Sequence, residues 1–413
     1  MRRIPLRTIL SLLILLLAHE TQAQDGKEGS PIDALKAAEQ AFQKRVAWRE
    51  SGLHFFGYLE GSYSQNFNNP SNRINQLRIF DVQSNQVRPN LAQFVLEKEA
   101  NPGPRWNDRL GFRVKFNAGR DSDFIGGTNL STWADFQEFY AQYVAPIGNG
   151  VNIQLGQINS VVGYETVESP RNPNYSRSWL FGLGQPFTTR GGRLTYAWGR
   201  TVTLSIGIIG YVNSARADTQ HDPLSEAAVV FAPSDNMTLA FYSLVGPRSG
   251  PTGTKGGMLV LSGGYVRVRM SERASAVFES YYANQTGSSL VSPAGNARWN
   301  GAAAYLIYDL TKQWGLRFRA ELFEDAGGFV TCQGTTDYQP RANVCFGASN
   351  LGSAPAVAQT LWEVTSTLQY SPIPTLITRL EYRYDRSDHN TFQVGGRPAG
   401  YQPTLSLAVS CLF

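Results

Sequence analysis

The chain carries sixteen stretches in which apolar and polar residues alternate, and the gaps between them alternate long and short. Leu110, Phe112, Val114 and Phe116 interleave with Gly111, Arg113, Lys115 and Asn117. Leu316, Phe318, Ala320 and Leu322 interleave in the same way with Arg317, Arg319, Glu321 and Phe323. A period of two places each set on one face of a strand. One face suits hydrocarbon, while the other carries charges that no apolar core accepts without partners. A closed sheet that is apolar outside and wet inside leaves no backbone edge in lipid. The expected fold is all-β, a transmembrane antiparallel up-and-down β-barrel of about sixteen strands, preceded by a short N-terminal periplasmic helix.

The stretches fall at 53–64, 91–100, 109–118, 136–145, 151–158, 187–198, 201–213, 226–233, 237–246, 257–270, 273–285, 298–311, 314–325, 360–371, 376–386 and 403–413. The even connections are tight, such as Gly199-Arg200, Ser271-Glu272 and Lys312-Gln313. The odd ones are mostly long: 65–90, 119–135, 159–186, 214–225, 247–256, 286–297, 326–359 and 387–402. Outer-membrane barrels have short periplasmic turns and long external loops, so this parity places both termini in the periplasm.

The first residues give the compartment. Arg2, Arg3 and Arg7 precede an apolar run from Ile9 to Ala18, and Thr21-Gln22-Ala23 supplies small residues near a cleavage point. Residues 1–23 read as a secretory signal peptide, too short to span a bilayer. In the periplasmic segment 24–52, Ser30-Pro31-Ile32-Asp33 reads as a helix start. Ile32, Leu35, Ala38, Phe42 and Val46 keep helical spacing over residues 31–49, forming a stripe for docking or self-association. Residues 53–413 are the expected barrel, in the outer membrane of a Gram-negative bacterium, and no later apolar run approaches the roughly 20 residues of a membrane helix. No basic run points to nucleic acid. Cys332 and Cys345 share one long connection in an oxidising compartment, where a disulfide would pin the loop. A metal site is the rival reading, but no His or second Cys pair accompanies them. Cys411 reads as a small apolar residue on the last strand.

That last strand sets Leu405, Leu407, Val409, Cys411 and Phe413 on one face and ends on the aromatic Phe413. A terminal aromatic closing an amphipathic strand resembles the signal read by the barrel-insertion machinery, so that machinery and outer-membrane lipid are expected partners. Tyr143, Tyr196, Trp198, Tyr211, Trp314, Trp362, Tyr370 and Tyr382 lie near strand ends, where interfacial aromatic belts form.

The third long loop carries Glu168-Ser169-Pro170-Arg171-Asn172-Pro173-Asn174-Tyr175-Ser176-Arg177-Ser178, then Phe181-Gly182-Leu183-Gly184-Gln185-Pro186-Phe187. With Gln157-Ile158-Asn159 and Gly57-Tyr58-Leu59-Glu60, this segment resembles the β-barrel porin family of the second type. The likeness covers residues 53–413. It implies an outer-membrane porin fold and a transport role, and names no solute.

A barrel of about sixteen strands encloses a water-filled bore that something must narrow. Loop 159–186 is the expected constriction, stiffened by Pro170, Pro173 and Pro186 and lined by Glu165, Glu168, Arg171 and Arg177; the alternative is an external lid or a subunit contact. By parity the pore-lining charges are Arg113, Lys115, Glu138, Arg193, Arg267, Arg269, Glu279, Arg317, Arg319, Glu321, Arg379, Glu381 and Arg383, with Glu97 and Asp385. That is nine cations against six acids. Opposed charges across a narrow bore orient polar solutes, and the excess predicts mild anion preference. For any one residue, pairing within the wall is the plainer role.

The expected function is passive diffusion of small hydrophilic solutes. The alternative is a substrate-specific channel for oligosaccharides or organic acids, with Tyr58, Tyr140, Tyr281 and Phe323 as wall aromatics. No enzyme, cofactor or metal is expected: His54, His221 and His389 sit singly, and no nucleophile is paired with a base. Sixteen-stranded porins are often trimers, so analogy alone supplies a homotrimer.

Overall fold

The structure is a computed structural model, and it describes residues 52–125, 133–212, 223–248, 257–292, 295–331, 335–336, 339–340 and 356–413. The expected signal peptide, the helix at 31–49 and the Cys332–Cys345 disulfide lie outside the described residues.

Sixteen strands form one closed antiparallel barrel in which every strand pairs with its neighbours in sequence. They are β1 (Leu53–Asn66), β2 (Gln86–Lys98), β3 (Leu110–Ala118), β4 (Ala134–Ala145), β5 (Val151–Asn159), β6 (Thr188–Trp198), β7 (Val202–Val212) and β8 (Leu224–Ser234). There follow β9 (Met237–Pro247), β10 (Met258–Arg269), β11 (Ala274–Gln285), β12 (Ala297–Asp309), β13 (Trp314–Asp325), β14 (Gln359–Ile373), β15 (Leu376–Ser387) and β16 (Tyr401–Leu412). The cylinder closes where β16 pairs with β1, from Tyr58 opposite Leu412 to Asn66 opposite Thr404. Beyond that ladder Gly57 and Phe413 exchange two backbone hydrogen bonds, each 3.0 Å. The Phe413 ring packs with Phe55 and Phe94, so the terminal aromatic covers the seam.

The alternation read in the sequence is the alternation of exposure. On β13, Arg317, Arg319, Glu321 and Phe323 are buried, while Phe318, Ala320 and Leu322 are exposed. Bulges shift the phase locally, as at Glu60/Gly61, Lys115/Phe116 and Arg190/Gly191; opposite Lys115/Phe116 the partner strand β4 carries an extra residue, so Gln137 and Glu138 are both buried. Of the aromatics proposed for the belts, Tyr143, Trp198, Trp314, Trp362, Tyr370 and Tyr382 are exposed.

The core lies inside the cylinder. Two buried apolar clusters combine inward residues of the wall with loop residues: Trp179 and Leu180 join one, and Phe181 and Phe187 the other. The first long loop differs from expectation. β2 starts at Gln86, leaving a loop of 67–85 that is buried at Ile74, Leu77, Phe80 and Val82. Those four side chains are the physical reason, because a solvated external loop would expose them to water. Two small hairpins, one pairing Thr335–Thr336 with Gln339–Pro340 and one pairing Phe392–Val394 with Arg397–Ala399, decorate later loops.

The exposed outer face predicts a depth-dependent response to charge. Leu407→Arg, on the outer face within β16, costs about 2–4 kcal/mol of refolding free energy in lipid vesicles, whereas Val87→Arg near the loop end costs about 0–1 kcal/mol. Denaturant titration of both variants checks this; equal costs would contradict a lipid-facing β16.

Candidate functional site: the loop-filled bore

A loop inside a barrel has no ladder partner, so its peptide groups must find others. The segment from Ser169 to Leu180 finds them on the inward charges of β13 and β15. Glu381 accepts from the Tyr175 and Ser176 amides at 2.6 and 2.9 Å. Glu321 accepts from the Trp179 and Leu180 amides at 2.7 and 2.6 Å. Arg379 donates to the Ser169 and Asn172 carbonyls at 2.8 and 2.7 Å. Arg319 donates to the Ser176 carbonyl at 2.6 Å, and Arg383 to the Arg177 carbonyl at 2.5 Å. The loop adds its own clasps: Glu165 accepts from the Ser178 amide, and Arg177 donates to the Tyr175 and Val167 carbonyls.

Aromatic side chains with polar tips fix the same segment. The Trp179 indole N–H donates to the Leu77 carbonyl at 2.9 Å, joining the two inward loops. The Trp299 indole donates to the Gly184 carbonyl, and the Tyr281 hydroxyl to the Leu180 carbonyl. A Cβ on Gly184 would stand 1.6 Å from the Tyr281 hydroxyl oxygen, so only glycine permits this approach to the wall.

Most remaining inward charges pair. Arg113 contacts Glu97 and Glu138. Lys115 lies 2.5 Å from both Glu138 and loop Glu168. Arg193 meets Glu226 at 2.6 Å, and Arg317 meets Asp309 at 2.6 Å. Arg319 bridges Glu363 and loop Glu165 at 2.5 and 2.9 Å. Arg383 meets Asp385 at 2.6 Å, and Asp385 also takes Arg78 of the first loop at 2.6 Å. Glu279 is buried and meets no cation among the described residues, accepting from the Tyr242 hydroxyl and the Tyr164 amide. Burial pushes the Glu168 carboxyl up, but the Lys115 ammonium and its hydrogen bond outweigh burial and hold it down to about 2.

Three of the residues singled out in the sequence stand apart. Arg171, Arg267 and Arg269 are exposed and make no ion pair among the described residues. Parity missed Glu226 and Glu363, although each alternates in phase with buried neighbours, Leu224 and Leu361. It had no means to find Arg78, Asp81 and Asp121, which come from loops. Wall and loops taken together, fifteen carboxylates and nine cations are buried among the described residues. The wall aromatics Tyr58, Tyr281 and Phe323 are buried in the clusters, and Tyr140 is half-buried, so they form no open aromatic path.

A closed sixteen-strand barrel with a lipid-compatible exterior and a polar, loop-lined interior defines an outer-membrane channel of the porin class. The profile of the family described as "Putative beta-barrel porin-2, OmpL-like" matches residues 52–413, and the chain belongs to that family. No curated protein matches it by sequence. Among solved structures it is similar to the outer membrane channel DcaP of Acinetobacter baumannii, at 13% identity, a TM-score of 0.56, and coverage of 87% of this chain and 97% of that one. It is also similar to the anion-selective porin from Comamonas acidovorans, at 9% identity, a TM-score of 0.57, and coverage of 87% and 99%. A trimer form of OmpT from Vibrio cholerae shares 9% identity at a TM-score of 0.53, with coverage of 87% and 99%. These likenesses establish the fold.

Two outcomes follow from the clasps. Glu321→Ala leaves the Trp179 and Leu180 amides without acceptors, a loss of about 1–3 kcal/mol that raises their exchange rates by about 10- to 100-fold. Hydrogen–deuterium exchange of the folded protein reads this directly. The Glu168 carboxyl is depressed in the fold, so its stabilising share is complete above the ordinary carboxylate range and fades as pH falls toward about 2. Loop protection factors should therefore hold from pH 7 to pH 5, then decline in acid; Lys115→Met should remove that share at neutral pH.

Proposed function

We propose that this channel conducts small hydrophilic solutes by passive diffusion, with loops 67–85 and 160–187 narrowing its bore. The observation that supports this is the clasp of segment 169–180 against β13 and β15, far around the wall from the strands that bear its loop. A segment held across a sixteen-strand cylinder by buried charges restricts its lumen without closing chemistry of any kind. Arg113, Lys115, Glu138, Arg193, Arg317, Arg319, Glu321, Arg379, Glu381 and Arg383 are then scaffolding of the constriction, as are Glu165, Glu168 and Arg177.

The charges a passing ion meets are the exposed ones. Arg267 and Arg269, inward on β10, and Arg171 on the loop carry positive charge without compensation among the described residues. We assign a mild anion preference to them, in place of the total count of inward residues. A substrate-specific channel for oligosaccharides stays the second reading, but the buried positions of Tyr58, Tyr281 and Phe323 do not favour it. Cleavage of the signal peptide after Ala23, recognition of the Phe413 strand by insertion machinery and assembly as a homotrimer complete the proposal; the trimer form of the OmpT relative supports the last.

Reversal potentials across a salt gradient in planar bilayers test the reading. The wild type should favour anions slightly, and the double variant Arg267→Gln/Arg269→Gln should lose that preference with conductance largely kept. Clear cation selectivity of the wild type sinks the assignment.

A further inference from the structure

Toward the short-turn end of the bore, β10, β11 and β12 present side chains that the ion-pair network leaves out. The rings of Tyr265 on β10, Tyr305 on β12 and Tyr164 from the long loop converge. Tyr164 stands 5.5 Å from Tyr265 and 5.1 Å from Tyr305, edge-to-face in both pairs. Tyr164 and Tyr265 are half-buried. Tyr305 is buried, and its hydroxyl has no hydrogen-bond partner among the described residues.

A cation borders this group. Through the sheet register Arg267 shares a row with Val277 and Tyr305, one inward position from Tyr265 and Glu279. Arg269 follows two residues on, and both arginines are exposed. Glu279, the acid one inward row from Arg267, is buried and occupied at 2.9 Å by the Tyr242 hydroxyl and at 3.0 Å by the Tyr164 amide. An exposed guanidinium therefore stands beside half-exposed aromatic surface, with the adjoining carboxylate withdrawn from solvent.

We propose that this corner is a binding subsite for ring-bearing organic anions, which deepens, and rests on, the diffusion reading above. The carboxylate of the solute pairs with Arg267, with Arg269 at its approach. Its ring lies against Tyr164 and Tyr265, where offset or edge-to-face contacts are available. Neither half suffices: acetate has no ring to place, and glucose has no charge for the arginine. Weak binding at one station along the bore suits conduction, since a solute must also leave.

The test adds benzoate, acetate or glucose to the full-length protein in planar bilayers, and titrates benzoate by calorimetry into the detergent-solubilised barrel. Benzoate should depress the current saturably at millimolar concentration, while acetate and glucose at equal concentration should not. Arg267→Gln and Tyr265→Ala should each raise the half-blocking concentration and the calorimetric Kd by about tenfold. Tyr265→Phe, which keeps the ring, should stay near wild type, and heat-modifiable gel migration checks that every variant is folded. A conducting channel indifferent to benzoate, a block unchanged in Arg267→Gln, or equal block by glucose overturns the subsite alone. Absence of conductance overturns the diffusion reading, and calorimetry then decides the subsite by itself.

Discussion

A polypeptide threaded through the inside of a barrel must have its peptide groups answered by side chains, and the rest of this interior follows from that demand. The strands satisfy one another through their ladders, but the loop after β5 has no ladder. On β15 the inward positions Arg379, Glu381 and Arg383 succeed one another at the strand period, and on β13 Arg319 and Glu321 do likewise. Donors and acceptors thus alternate along the wall at a spacing that suits successive amides and carbonyls of segment 169–180. The charges that first suggest a wet channel are largely the hydrogen-bonding equipment of the loop.

Such charges resist removal more than they add stability. Desolvating them offsets much of their mutual attraction, yet deleting one partner of a buried pair costs about 3–5 kcal/mol because the survivor stays buried. The pairs here are also shared. Asp385 serves both Arg383 of the wall and Arg78 of the first loop, and Arg319 serves both Glu363 and Glu165. The two loops are held by one connected set of charges, with Trp179 and Leu77 joining them directly. Loosening either loop therefore disturbs the other.

The wall was legible in the sequence and the contents of the bore only partly so. A two-residue period runs through the strands, broken only locally by bulges, because lipid and water tolerate no wholesale exchange of faces, so strand number and closure could be read directly. Pro170, Pro173 and the charges around them marked the third loop as inward. The first loop carries as clear a cue in Ile74, Leu77, Phe80 and Val82, but that cue has no period and sits among Asn and Gln. Pairing was illegible for a different reason. Lys115 and Glu168, or Arg319 and Glu165, are far apart in the chain and meet only because the loop crosses the lumen.

This division of charges separates architecture from selectivity. A paired guanidinium and carboxylate form a dipole whose field decays quickly, and burial keeps mobile ions from reaching it. An exposed arginine on the same wall acts on any solute that passes within a Debye length of about 8–10 Å. Buried carboxylates such as Glu321, Glu363 and Glu381 are engaged by arginines, amides and hydroxyls already in place, so their number is a poor guide to the field a solute meets. On the reading proposed above, selectivity rests with groups that folding leaves exposed, and Arg267 lies one inward row from Tyr265 in the aromatic corner that Tyr164 and Tyr305 complete.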